Sequence, residues 1–63
     1  MPDVTVENHG SVFTFQAHSE IARDWIDENV GGTMVWIGDS LAVEPRYAWD
    51  LAQGMISDGL EVA

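Results

Sequence analysis

From Val4 to Glu7 apolar and polar residues alternate, and from Val12 to Gln16 the alternation resumes, with Phe13 and Phe15 on one side and Thr14 and Gln16 on the other. A period of two is that of a strand with one buried face. The intervening Asn8-His9-Gly10-Ser11 is turn chemistry, so the first part of the chain predicts a β-hairpin. The period then changes. Ser19 can cap a helix running from Glu20 to about Val30. On it Ile21, Ala22, Trp25, Ile26 and Asn29 share the face that would pack on the sheet, and Glu20, Asp24, Asp27 and Glu28 share the opposite one.

Gly31-Gly32 stops this helix. Thr33 to Ile37 is β-branched and aromatic, which predicts a third strand. Gly38-Asp39 suits a two-residue II′ turn into a fourth strand over Ser40 to Glu44, with Leu41 and Val43 inward. Pro45 is placed to be the first residue of a second helix, which runs to about Asp58. Gly59 then serves as its C′ residue, with Leu60 folding back on Met55. Glu61 to Ala63 reads as a short edge strand or a frayed tail. No linker or low-complexity segment divides the chain, so residues 1–63 predict a single α+β domain. Its order is ββαββα, a mainly antiparallel four-stranded sheet packed against two helices.

The second helix is apolar over more of its circumference than a core contact requires. Tyr47, Ala48, Trp49, Leu51, Ala52, Met55 and Ile56 together span roughly 200° at about 100° per residue, against the roughly 100° of a core-facing stripe. Trp49 and Tyr47 sit at the two edges of that arc. One expectation is a helix sunk deeply into a very small domain. The other is an aromatic anchor for a partner or for a second copy of the chain.

Composition sharpens this picture. With 63 residues and no cysteine, the chain has neither disulfides nor a thiolate metal site to reinforce it, and its stability must come from apolar packing. Eleven Asp and Glu face two Arg and no Lys, a net charge of −9. Direct binding to nucleic acid or to an anionic membrane is therefore not expected, and a basic protein is the favoured partner. Met1-Pro2-Asp3 lacks the basic start of a signal peptide and no apolar run is long enough to span a membrane, which leads to the expectation of a cytoplasmic protein.

Catalytic and metal signals are weak. Gly38-Asp39-Ser40-Leu41 resembles the short motif around the nucleophile of a large serine-hydrolase family, but the Asp-x-x-His that supplies the base there has no counterpart after Ser40. His9 lies in a turn and His18 beside a helix cap, positions where a solvated imidazole is the ordinary expectation. Pairs such as Glu20 with Asp24 could share a hard cation, but a convex helix face offers too few ligands for a tight site. No enzymatic activity, cofactor or metal is expected.

The carboxylate row itself is the strongest functional signal. Glu20 to Glu28 spans ~12 Å at 1.5 Å per residue. Four charges over that length approach the ~3.4 Å spacing of phosphates along a DNA strand. Around it, Glu7-Asn8-His9-Gly10-Ser11, the Trp25 helix, Glu44-Pro45-Arg46-Tyr47 and Asp58-Gly59-Leu60 give the chain a look similar to small phage and proteobacterial proteins. In size and acidity it resembles anti-CRISPR proteins. That resemblance is one of type rather than of motif, and it transfers no residue by position. It implies a non-enzymatic inhibitor that occupies the DNA-binding surface of a CRISPR effector, type I in particular. Glu20, Asp24, Asp27 and Glu28 are the expected capture residues, with Trp49 or Tyr47 as the apolar anchor. The competing expectation is a small structural or regulatory module, homodimeric through the second helix, whose acidity serves only solubility.

Overall fold

The alternating runs become strands and the amphipathic runs become helices. A computed structural model describes residues 1–30 and 35–63, and the elements run β1 (Val4–Asn8), β2 (Phe13–Ala17), α1 (Glu20–Asn29), β3 (Val35–Ile37), β4 (Ser40–Val43) and α2 (Pro45–Ser57). Residues 31 to 34 lie outside the described residues, and with them the expected glycine stop of α1 and the Thr33-Met34 start of the third strand. The strands form one antiparallel sheet in the order β1-β2-β4-β3.

Turn chemistry closes both hairpins. In the first, the Asn8 side-chain oxygen accepts the Gly10 N–H at 2.8 Å, Gly10 takes φ +90°, and the His9 N–H donates to Val12 O at 2.9 Å. In the second, Ile37 pairs with Ser40 across two residues, and Gly38 has φ +62° while no described non-glycine residue has positive φ. Positive φ at the first central position only is the II′ signature.

Register places Val6, Phe15, Leu41 and Trp36 in one row across all four strands. This row lies on the face that both helices cover. Phe15 and Leu41 are fully buried, together with Val4, Val43, Ala22, Ile26 and Met55, and Phe13, Trp25 and Trp36 pack around them. The other face carries Thr5, Glu7, Thr14, Gln16, Ser40, Ala42, Val35 and Ile37, as the period of two requires.

Ser19 caps α1 by accepting the Ala22 N–H at 3.1 Å. Two residues expected on its packing face are not there. Ile21 is 70% exposed, and Asn29 is exposed with its amide donating to Trp25 O at 2.9 Å. The buried direction is set by Ala22 and Ile26, and Ile21 stands about 100° or more from both. The two helices meet where the Trp25 ring covers Gly54 and the Trp25 Nε1–H donates to the Asp58 carboxylate at the end of α2.

A Schellman turn follows α2. The Gly59 N–H donates to Ile56 O and the Leu60 N–H to Met55 O, both at 3.0 Å, with Gly59 at φ +92°. Leu60 is thereby buried beside Met55 in the core. The last residues neither fray nor pair antiparallel. Val62 makes a parallel bridge to Val4, with Ala63 N–H to Val4 O at 2.9 Å and Val6 N–H to Ala63 O at 2.8 Å. Asp3 fastens this segment. Its N–H donates to Glu61 O, its carboxylate accepts the Glu61 N–H, and its carbonyl accepts the His18 N–H. Among the described residues, no helix is long and apolar enough to cross a membrane.

Two measurements follow from these contacts. A methyl group at Gly54 would sit 3.4 and 3.5 Å from the Trp25 ring, ordinary contact distances. Gly54→Ala is therefore expected to stabilise the protein by up to about 1 kcal/mol through helix propensity, whereas Gly54→Leu displaces the ring and destabilises; urea denaturation reads both. The Glu61 amide, then the Ser19 hydroxyl and the amino terminus, hold the Asp3 carboxyl below its ordinary 3.8. A carboxyl lowered in the folded state stabilises fully above the unfolded value and loses that contribution as pH falls through the folded one. Asp3→Asn is expected to be less stable than wild type above pH 4, with the two converging as the pH drops further.

Candidate functional site

Among the described residues no polar or charged side chain is buried, so the whole charge of the molecule is displayed on its surface. Neither arginine forms a salt bridge with the α1 row, although Arg23 stands on α1 one turn from both Glu20 and Asp27. Arg23 pairs with Asp39 at 2.9 Å and lies over the Trp36 ring, 5.3 Å from its centroid. Arg46 pairs with Glu44 at 2.9 Å and lies over the Tyr47 ring at 4.8 Å. Each cation is thus engaged by one carboxylate and one aromatic face.

Glu20, Asp24, Asp27 and Glu28 are all exposed on one side of α1. Among the described residues none of the four side chains forms a salt bridge or hydrogen bond. Only Glu20 lies in the first turn, and the last turn has no basic residue. Asp27 and Glu28 therefore stand near the negative end of the helix dipole, a placement that costs a few tenths of a kcal/mol each. Glu7, Asp50 and Glu61 extend the unpaired negative surface beyond α1.

The aromatic candidates are placed differently from the carboxylates and from each other. Gly54 faces the Trp25 ring, so its flank of α2 is the one toward α1. Tyr47, seven residues earlier, falls on that flank, 47% exposed and covered on one face by Arg46. Trp49 is about 140° round from Gly54, on the flank turned away from α1, and is 71% exposed. The fold brings the four carboxylates together and puts Trp49 on a separate surface, across the width of α2. The wide apolar arc of α2 is not sunk into the core. Ala48 and Met55 are buried, while Trp49 and Ile56 stand at the surface, Ile56 51% exposed.

Beside Trp49 lies an apolar depression of about 350 Å³, walled by Trp49, Ala52 and Pro45 on α2 and by Val6, Phe13, Val62 and Ala63 from the sheet. Sequence reasoning selected Trp49 but missed these partners. The Leu60-Glu61-Val62 alternation was the available signal, too short to show which strand the segment would join.

The other chemical signals resolve simply. His18 Nε2 is hydrogen-bonded to Thr5 Oγ1 at 2.8 Å and His9 Nε2 to Thr14 Oγ1 at 3.0 Å, while Ser40 stands in β4 opposite Gln16. Among the described residues no group of three His, Asp or Glu side chains is arranged to hold a metal. No protein-family model, curated protein or solved structure matches the chain.

Proposed function

We propose that this protein is a non-enzymatic inhibitor that uses the α1 carboxylates to occupy the basic, nucleic-acid-binding surface of another protein. The observation that carries the reading is the exposed row of Glu20, Asp24, Asp27 and Glu28, with which neither arginine forms a salt bridge among the described residues. A groove built for phosphates attracts such a row over a distance of about 8–10 Å at moderate salt. Capture is electrostatic and the occupied groove is closed to DNA. The resemblance in size and acidity to anti-CRISPR proteins names the first target to try, the DNA-binding surface of a type I CRISPR effector in the bacterial cytoplasm.

Two of the four charges oppose the helix dipole, which separates function from stability. Exchanging Glu28 for Lys places a cation at the negative end of α1 and is expected to raise stability by about 0.3–0.5 kcal/mol. The same substitution combined with Asp24→Lys is expected to weaken inhibition at least tenfold. The measurement is competition against fluorescent duplex DNA for the effector, alongside a urea melt of each variant. Inhibition by wild type should also fall between 0.1 and 0.5 M salt, both values being about those where screening becomes strong. Undiminished inhibition by a folded Asp24→Lys/Glu28→Lys variant rules the reading out.

A further inference from the structure

The depression beside Trp49 does not end at Val62 and Ala63. These two residues also wall a second depression of about 520 Å³, bounded by Ile56, Leu60, Glu61 and Pro2. Together they form one furrow between α2 and the C-terminal segment. Its outer wall carries Trp49 and Ile56, seven residues apart, within about 20° of each other and ~10 Å apart along the axis. That spacing suits a partner presenting apolar side chains two helical turns apart, the helix-in-groove mode of recognition.

We infer that this furrow receives a basic amphipathic helix of a partner protein. The charge around it selects the occupant. Glu61 walls the furrow, exposed and unpaired among the described residues, and the nearby cation on α2, Arg46, is engaged by Glu44 and the Tyr47 ring. A helix with lysine or arginine flanking its apolar stripe satisfies both the furrow and its rim. A second copy of the chain does not, because each copy carries a net charge of −9 and the approach is repulsive. The furrow lies on the far flank of α2 from the carboxylate row, so the two surfaces engage different elements and fail independently.

The test uses the intact protein, labelled with ¹⁵N, and two designed peptides with the same leucine stripe, one with lysine and one with glutamate on the polar face. At about 0.15 M salt, the lysine peptide is expected to shift the Trp49 indole and the amides of Ala52, Ile56 and Val62, and the glutamate peptide is not. Trp49→Ala should weaken the lysine peptide at least tenfold, with Ile56→Ser as an independent second variant; both residues are exposed, so a thermal melt should show little change. Asp24→Lys/Glu28→Lys should leave the Trp49 and Val62 shifts in place, which distinguishes failure of the furrow from failure of the α1 row. Shifts confined to α1, equal binding of both peptides, or a Trp49-dependent dimer in light scattering would each overturn the inference.

Discussion

The pairing of β2 with β4 holds this molecule together. Each hairpin is local, and a lone two-stranded hairpin is at best marginal in water. The β2–β4 seam joins the two across a long stretch of chain and sets Phe15 directly opposite Leu41, both fully buried. It also completes the row from Val6 to Trp36 that gives the helices a surface to cover. Substitutions at Phe15 or Leu41 would remove apolar contact from both halves at once, which distinguishes them from changes at the hairpin tips.

A core built on one face of four short strands leaves little interior. With no described polar side chain buried, the apolar core and the α1 charges occupy separate parts of the molecule. Nine net negative charges on a 63-residue chain repel one another and oppose compaction. The two arginines are paired with Asp39 and Glu44 and lie over the Trp36 and Tyr47 rings, forming no salt bridge with the α1 carboxylates. The charge of α1 is thus carried by the fold rather than used to build it. Changing its sign is expected to leave the core intact, and the dipole argument for Glu28 makes the change favourable.

Local chemistry was legible in the sequence wherever one residue sufficed. Ser19 caps α1, Pro45 opens α2, Gly38 turns the second hairpin, and Gly59 directs Leu60 back onto Met55, all as their types require. The carboxylate row needed only the helix repeat. What escaped depended on contacts between distant segments. Ile21 is apolar and near the packing stripe, but the direction of burial is decided by where Ala22 and Ile26 meet the sheet. The breadth of the α2 arc could not reveal which apolar residues the sheet would leave uncovered. The parallel bridge of Val62 to Val4 depends on Asp3, which sits almost a full chain length away from its partner Glu61.

That last contact links the architecture to the surfaces proposed as functional. By adding the C-terminal segment to β1, it covers what would otherwise be an open sheet edge, a position prone to unwanted strand pairing. The same segment supplies Val62 and Ala63, which form the side of the furrow opposite Trp49. One set of backbone bonds thereby closes an edge and opens a groove. On the opposite side of α2, the Trp25–Gly54 contact fixes the position of α1 and hence the direction its carboxylates face. Long-range attraction through the α1 charges acts before contact and is weakened by salt, whereas burial of an apolar side chain against Trp49 acts only at contact and resists salt. On the proposed reading, the first surface would set the speed of capture and the second the lifetime of a complex.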